Sequence, residues 1–322
     1  MSEPRTVFPV GPKDAGKRLD RFLQERIPGV SRSRIQQAIR ERVTLSWGDE
    51  PRPSRPVMPG GEVRIEPKPS EEIVRDVPIP ILLRGDGWLA VDKPAGLPVH
   101  PVNRVKENSL IRMLRRQEGV EELRLVHRLD RETTGALLIA ATPEISSRLA
   151  GAFERNAVSK EYLAVVRGRI EEDRGEIELA IEDDADSPIR DKRRAGAGQE
   201  ARTGWQVEGR GENHSLVRLF PRQGRRHQLR VHLDAIGHPI LGDILYGRDP
   251  RGFLDMVEGK GDPREREQGP SRHLLHCARL RLPHPTEPEA ALEVRAALPQ
   301  DFSPYLEHLE GLAPFVDGDP GS

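Results

Sequence analysis

The residues of this chain whose types and spacing could do chemistry are an aspartate and the two arginines that flank it. Asp130 lies between Arg128 and Arg131, just before a Thr-Thr-Gly turn and the apolar run 136–141. The apolar run predicts a buried strand, and Gly135 permits a sharp turn into it. We therefore expect a loop fixed against the core to present Asp130, with the arginines keeping its carboxylate ionised. A surface ion-pair cluster is the alternative for so short a string.

The Asp130 segment and three further segments form an ordered series of four motifs. VDKPAGLPVHP spans 91–101, HRLDRETTG spans 127–135, KEYLAVVRG spans 160–168, and GRRHQLRVHLDAIGHPILGDILYG spans 224–247. Together they resemble the motifs of the RluA-like pseudouridine synthases. The second departs from that family's HRLDxxTSG signature only at Thr134, where serine is usual. Four ordered motifs over most of residues 85–285 are not expected by chance.

The resemblance implies an isomerase that converts uridine to pseudouridine in RNA. The reaction breaks the N1 to C1′ bond, turns the base within the site and joins C5 to C1′. It needs no redox change and no group donor, so we expect no cofactor and no metal. A uridine in a stacked helix must first be flipped out, at a cost of a few kcal/mol. The implied fold is α+β, with a mixed, mostly antiparallel central sheet around a cleft.

The same resemblance assigns candidate catalytic residues. Asp130 acts at the ribose, either as a nucleophile at C1′ or by removing the 2′ proton, and the sequence does not choose between these. Tyr162 stacks on the flipped base and can assist removal of the C5 proton, while Arg230 pairs with Asp130. Residue patterns alone predict a core position for Tyr162 and a solvated side chain for Arg230. The resemblance also implies that His127 or Arg128 holds the gap left by the base.

Two other groups of polar residues could bind ligands. Lys93 and His100 are the side chains that a proline-rich loop could present to a phosphate, although solvated loop side chains are the alternative. His273, His276 and Cys277 could suggest a metal site. However, HLLHC lacks a second cysteine pair and differs from the H-x-E with P-C-x-x-C pattern of zinc deaminases. We predict a strand there and no metal.

The N-terminal segment 16–43 predicts two amphipathic helices separated by Pro28 and Gly29. Basic residues outnumber acidic ones opposite the apolar faces. The RLDxFL and SRSRIQ elements resemble the alpha-L RNA-binding motif. That resemblance implies a small RNA-binding domain at 15–68, with Arg32 and Arg34 among its RNA contacts. A charged helical hairpin that only packs on its neighbour is the alternative.

Composition predicts the remaining boundaries. The proline-rich, charged stretch 69–80 is typical of an interdomain linker. The polar, glycine-rich segments 182–200 and 248–272 lack periodicity, so we expect exposed insertions there. The expected order is a flexible N-terminus at 1–14, the RNA-binding domain at 15–68, the linker at 69–80, a catalytic domain at 81–315 and a disordered tail at 316–322.

Bulk properties restrict the class of protein. A single cysteine argues against a disulfide framework and fits a reducing cytoplasm. No signal peptide and no run of eighteen apolar residues is present, so we expect a soluble, monomeric cytoplasmic protein with no membrane partner. The net charge is −1, from 51 Lys+Arg and 52 Asp+Glu, so any RNA-binding surface must be a local patch.

Two alternative functions come from other classes. A glycosidase also attacks an anomeric carbon, but it needs a second carboxylate about 5 to 9 Å from the first, and no motif for one is evident. A non-catalytic RNA-binding or ribosome-assembly factor could use the same scaffold. Asp130, Tyr162 and Arg230 favour the enzyme, because binding alone does not need that trio. We expect structured RNA as the partner, with ribosomal RNA as the first expectation.

Overall fold

The computed structural model divides the chain into two compact units that meet in sequence at position 71/72. It describes residues 6–27, 30, 32–66, 72–75, 77–102, 105–189, 192–257, 261, 262, 264, 269–287, 289–307 and 309–312. The expected disordered tail at 316–322 lies outside the described residues. No helix within these ranges is long and apolar enough to cross a membrane.

The first unit combines a helical pair with a small sheet. Its apolar helix faces are buried against each other and the sheet, because Phe22, Leu23 and Ile39 are fully enclosed. Strand β3 lies between β1 and β2 and pairs antiparallel with both. The two predicted helices are confirmed. The elements are β1 (Thr6–Pro9), α1 (Leu19–Arg26), α2 (Arg32–Arg42), β2 (Val43–Leu45) and β3 (Glu62–Ile65).

The expectation of a flexible N-terminus is wrong for residues 6–14. Strand β1 pairs with β3 over four residues, and Asp14 is buried. The Asp14 carboxylate accepts hydrogen bonds from Lys17 and Arg26. Backbone pairing and these two ion pairs therefore make the segment part of the first unit.

A large mixed sheet forms the second unit. Its main strand order is β4-β5-β7-β14-β8-β13-β12-β9, with β6 added to β7 and β15 added to β14. The β7–β14 pairing is parallel and the others are antiparallel. This is the mixed, mostly antiparallel sheet that was predicted. Its strands are β4 (Ile81–Gly85), β5 (Trp88–Lys93), β6 (Arg124–Leu125), β7 (Thr134–Ala140), β8 (Ser159–Arg167), β9 (Arg174–Glu178), β12 (Arg202–Arg210), β13 (His214–Pro221), β14 (Leu275–Pro283) and β15 (Ala291–Arg295).

Strand β14 joins the two halves of this sheet, although it comes last but one in sequence. On one side is β7, which follows the Asp130 loop, and on the other is β8. Gly135 lies inside β7, and a Cβ on it would stand 2.3 Å from the carbonyl oxygen of Cys277. The glycine therefore permits close approach of β7 and β14, whereas the sequence predicted a turn at this position.

Helices α3 (Leu110–Glu118), α4 (Pro143–Glu154), α5 (Gln228–Ala235) and α6 (Pro250–Val257) complete the second unit. The hydroxyl of Thr142 accepts a hydrogen bond from the Ile145 N–H and caps α4, as expected for a threonine followed by proline at the start of a helix. Leu229 and Leu233 of α5 contribute to the same core as β7 and β8. This packing fixes the position of α5 relative to the Asp130 loop.

The two segments that were expected to be exposed insertions are exposed only in part. Within 182–200 the chain forms a hairpin of β10 (Ala180–Asp183) and β11 (Arg193–Gly196). Ile181 from this hairpin packs against Val231 of α5 and Tyr246. Within 248–272, Arg272 is buried and bonded to Asp301. Ile181 is distant in sequence from Val231 and Tyr246, so no local periodicity indicates this packing.

The expected linker at 69–80 is also packed in part. The Glu72 carboxylate accepts hydrogen bonds from the backbone N–H groups of Lys106, Glu107 and Asn108. The side chain of Ile79 is buried in the main core. The second unit therefore begins at Glu72, ahead of the boundary expected at residue 81.

Candidate active site

A pocket opens where the Asp130 loop, β8 and the N-terminal end of α5 come together. It encloses about 620 Å³ of empty space, its open mouth included. These three elements are adjacent because β14 holds β7 beside β8, and α5 follows β13. The residues that line it include Arg128, Asp130, Thr133, Lys160, Tyr162, Arg225, Arg226, His227 and Arg230.

Arg230 is buried between two carboxylates. Its Nη1 donates a 2.9 Å hydrogen bond to Oδ2 of Asp130. Its Nε and Nη2 donate to the two oxygens of Asp243, at 2.6 and 2.9 Å. The pairing of Arg230 with Asp130, expected from motif resemblance, is therefore present. The helix pattern alone predicted a solvated arginine, and that prediction is wrong because this flank of α5 faces the pocket wall.

Asp130 remains ionised despite its environment. Burial favours the neutral acid, but the adjacent Arg230 outweighs burial and holds the pKa of Asp130 well below its ordinary value. His227 lies near the same carboxylate, yet burial lowers its own pKa to about 4, so its imidazole is neutral near pH 7. Arg230 is thus the cation that stabilises the Asp130 carboxylate.

Asp243 is a residue of this site that sequence reasoning missed. It is buried, and its Oδ1 also accepts hydrogen bonds from the backbone N–H groups of Leu245 and Tyr246. Burial opposes ionisation, but Arg230 lowers the pKa of Asp243 to about 2. The available signal was GDILYG, a carboxylate inside the same motif that carries Arg230. A buried arginine with two carboxylate partners is held in one geometry.

Tyr162 lies on β8 and lines the pocket, as the KEYLA motif implied. Its side chain is buried opposite Cys277 of β14, with which it forms a hydrogen bond. Burial, followed by the influence of Cys277, raises the pKa of Tyr162 well above its ordinary value. The phenol is therefore neutral near pH 7, and its apolar ring forms part of the pocket wall.

Lys93 does not face a phosphate site, contrary to the sequence-based assignment. Its side chain is fully buried, and Nζ donates to the carbonyl oxygens of Pro94, Arg131 and Thr133. Burial lowers the pKa of Lys93 to about 7. The carbonyl groups of Arg131 and Thr133 follow Asp130 closely in sequence, so Lys93 fixes the loop that carries the aspartate.

His127 also supports the loop from behind. Its Nε2 accepts a 2.9 Å hydrogen bond from the Leu138 N–H, and its ring stacks on Phe153. Burial lowers the pKa of His127 to about 3, so the ring is neutral. An imidazole bonded to β7 in this way does not hold the gap left by a flipped base, and the assignment of His127 to that gap is wrong. Arg128 is exposed and lines the pocket, as expected.

The remaining substrate-binding candidates are His100, Arg32 and Arg34. His100 is partly buried, and burial together with Arg128 lowers its pKa. Arg32 and Arg34 are exposed on α2 of the first unit, where Arg32 donates to Oδ2 of Asp20 at 3.1 Å. The roles of these three residues in RNA binding therefore stay predictions.

The histidines of HLLHC support the sheet. His273 Nε2 is 2.8 Å from the Thr133 hydroxyl, and His276 Nδ1 is 2.9 Å from the Thr134 hydroxyl. The predicted strand is confirmed as β14. Both rings thus bind threonines at the end of the Asp130 loop and fix it to β14.

Asp243, the second carboxylate bonded to Arg230, does not suit a glycosidase. Glycosidases use a second carboxyl group as an acid or base beside the reacting bond. Asp243 is fully buried, and both its oxygens are bonded to Arg230. It therefore lacks access to a sugar in the pocket.

Comparison with known proteins agrees with this geometry. Residues 87–235 match the family model of the RNA pseudouridylate synthases. The ribosomal large subunit pseudouridine synthase D of Yersinia pestis is 32% identical over 94% of this chain and 93% of its own length. An uncharacterized RNA pseudouridine synthase of Chloroflexus aurantiacus is 33% identical over 98% of this chain and 96% of its own.

A solved structure shows the same fold. Human RNA pseudouridylate synthase domain containing 1 superposes with a TM-score of 0.57 at 29% identity, covering 76% of this chain and 89% of that protein. The sequence relatives extend over nearly the whole chain, and Asp130, Tyr162 and Arg230 lie within the residues matched by the family model. The chain therefore belongs to the RNA pseudouridine synthases, which are isomerases of uridine in RNA.

Proposed function

We propose that this protein converts specific uridines of large-subunit ribosomal RNA to pseudouridine. One observation carries the proposal: an aspartate kept ionised by a buried arginine opens into a pocket beside a neutral tyrosine. The names of several relatives supply the RNA class, since they are ribosomal large subunit pseudouridine synthases. We further propose that the protein acts as a monomer in the cytoplasm.

In this proposal Asp130 acts at the ribose of a flipped uridine. Its Oδ2 is occupied by Arg230, whereas Oδ1 accepts no hydrogen bond from any residue that the structure describes. Oδ1 is thus available either to add to C1′ or to remove the 2′ proton. Arg230 orients the carboxylate and limits its rotation, because Arg230 is itself fixed by Asp243.

We assign Tyr162 to base stacking. Its ring lines the pocket, and its raised pKa leaves the phenol protonated, so it is a poor acceptor for the C5 proton. Arg128, which is exposed and lines the pocket, would hold the gap that the flipped base leaves. The exposed Arg32 and Arg34 of the first unit would bind phosphates elsewhere on the structured RNA.

The test is release of tritium from large-subunit ribosomal RNA labelled at uridine C5. The wild-type protein should release tritium, whereas Asp130→Asn should reduce turnover by at least about a thousandfold, as loss of a nucleophile or base does. RNA affinity should stay within a few-fold, because Asp130 does not bind phosphate. Asp186→Asn is the matched control, since Asp186 is exposed and pairs with the exposed Arg194.

Two outcomes would contradict the proposal. RNA binding by the wild type without tritium release would favour the assembly factor. Turnover of the Asp130→Asn protein near the wild-type rate would remove Asp130 from the chemistry.

A further inference from the structure

His227 occupies an unusual position at the start of α5. Its backbone φ is +59°, in the left-handed region that residues other than glycine rarely adopt. This conformation directs the imidazole to the pocket, where Nε2 lies 3.9 Å from Oδ2 of Asp130. Such backbone conformations cost about 1 to 3 kcal/mol and persist where the surroundings enforce them. The ring is therefore held next to the reacting carboxylate.

The hydrogen bonds of Tyr246 determine which nitrogen of His227 carries the proton. The buried phenol oxygen of Tyr246 accepts the Arg193 N–H at 3.1 Å and lies 2.9 Å from His227 Nδ1. A buried hydroxyl proton needs an acceptor, and Nδ1 is the acceptor within reach. The neutral imidazole then carries its own proton on Nε2, the nitrogen that faces Asp130. Hairpin strand β11 thus fixes the tautomer of a pocket residue through Arg193.

The gap between His227 and Asp130 suits one hydroxyl group. A separation of 3.9 Å is too long for a direct hydrogen bond, yet two normal hydrogen bonds of about 2.8 Å to a shared oxygen span it. A hydroxyl can accept from Nε2–H and donate to the carboxylate at the same time. In the proposed reaction Asp130 acts at C1′ or at the 2′ proton, and C2′, which is bonded to C1′, carries such a hydroxyl.

We propose that His227 Nε2 and Asp130 Oδ2 together bind the 2′-hydroxyl of the flipped uridine, so that His227 makes the site select ribose over deoxyribose. The assignment rests on the proposed function, since it places a uridine in this pocket. It gives His227 a role in substrate specificity that is separate from the attack at the ribose. Recognition of the 2′-hydroxyl is also what allows a protein to distinguish RNA from DNA at one nucleotide.

The test compares two RNAs that differ only in the target nucleotide, uridine or 2′-deoxyuridine, each labelled with tritium at C5. For the wild type, loss of the 2′-hydroxyl should slow single-turnover release by about ten- to a hundredfold, the value of a hydrogen bond to a charged group. In His227→Asn the side chain tolerates positive φ but is too short to present the Nε2 donor. Its deoxyribose penalty should fall to about threefold or less.

Two further variants keep the test independent of folding defects. His227→Gln restores an N–H near the Nε2 position and should recover part of the penalty. Tyr246→Phe keeps the packing but removes the hydroxyl that orients His227, and its penalty should lie between those of the wild type and His227→Asn. Tyr305→Phe is the matched control, because Tyr305 packs in a different cluster, and its penalty should equal that of the wild type.

The possible failures are distinct. An active wild type with the same deoxyribose penalty in His227→Asn and Tyr246→Phe overturns the role of His227 and leaves the proposed function intact. A wild type that releases no tritium from the uridine substrate overturns the proposed function and this assignment with it.

Discussion

Each unit of the molecule contains an aspartate bonded to arginine. In the first unit the aspartate is the more buried of the two residues, and in the second unit the arginine is. In the first unit the Asp20 side chain is 1% exposed, whereas its partners Arg18 and Arg32 are 47% and 61% exposed. In the second unit Arg230 is 6% exposed and Asp130 is 20% exposed. The first arrangement presents positive charge to solvent, and the second presents a carboxylate to a pocket. The same pair of residue types is thus suited to phosphate binding in one unit and to chemistry in the other.

The two arrangements should also differ in how much their ion pairs contribute to the free energy of unfolding. Ion pairs whose arginines remain in water contribute about 0 to 1 kcal/mol, because water competes for the exposed guanidinium groups. Removing one partner of a buried pair leaves a charge without compensation and costs about 3 to 5 kcal/mol. The two aspartates should therefore respond very differently when their arginines are changed.

The largest effect is expected for Arg230→Leu. This change leaves both Asp130 and Asp243 without their buried cation, so the free energy of unfolding should fall by about 3 to 5 kcal/mol and activity should be lost. The pKa of Asp130 should rise, since burial then acts without the opposing arginine. Denaturant titration measures the loss of stability. Arg222→Leu is the control, because Arg222 is exposed and should change stability by less than about 0.5 kcal/mol.

The double mutant Asp130→Asn with Arg230→Leu sharpens this prediction. Without the charge on Asp130, loss of Arg230 should do less harm, which gives a coupling energy above about 0.5 kcal/mol. Strictly additive free energies would show that the 2.9 Å contact contributes nothing to folding.

An intermediate effect is expected from removing the first unit. Deletion of residues 1–71 should weaken binding to structured RNA by on the order of tenfold and flatten its salt dependence, because phosphate contacts are lost. The cut at position 71/72 keeps Glu72, whose carboxylate is bonded to three backbone N–H groups of the second unit. Binding titrations at several salt concentrations provide the measurement. An unchanged affinity and salt slope would show that the arginines of α2 serve the fold alone.

The smallest effect is expected for Asp20→Asn, at about 1 kcal/mol, because its arginine partners remain solvated. Hydrogen bonds from Arg18 and Arg32 outweigh burial and hold the pKa of Asp20 well below its ordinary value. A carboxyl group with a lowered folded-state pKa contributes stability above its unfolded pKa, near 4, and loses it as pH falls further. The difference between wild type and variant should therefore shrink below about pH 4.

Hydrogen exchange across residues 19–42 at several pH values would measure this change within the first unit. Glu25→Gln serves as the control, since Glu25 is exposed beside Lys17. A pH-independent difference between Asp20→Asn and the wild type would contradict the electrostatic explanation.

The sequence predicted local elements better than contacts between them. Strands β7 and β8 and helix α4 follow from apolar patterns and a Thr-Pro cap, which depend on neighbouring residues only. The contact between Arg230 and Asp130 joins residues 100 positions apart, and only motif resemblance indicated it. The functional roles given to Tyr162 and Arg230 stay predictions.

The misassigned residues share one cause. Lys93 is the last residue of strand β5 and His127 lies in a loop, and polar residues at such positions are usually exposed to solvent. Both are instead bonded to backbone groups around the Asp130 loop. His227 and Asp243 were missed because their importance depends on the buried Arg230 and Tyr246. A local sequence pattern does not indicate which buried backbone groups will need a side chain as their hydrogen-bond partner.

The central position of β14 has a consequence for protein synthesis. Its residues 275–283 are made after those of every other strand in the main sheet except β15, yet they separate the half that carries Asp130 from the half that carries Tyr162. A nascent chain that stops before residue 275 can form both halves but cannot place them side by side. Because such long-range pairing closes late, the pocket is assembled only after β14 has been translated. Ribosome-bound fragments of this enzyme should therefore be unable to modify the RNA of the ribosome that makes them.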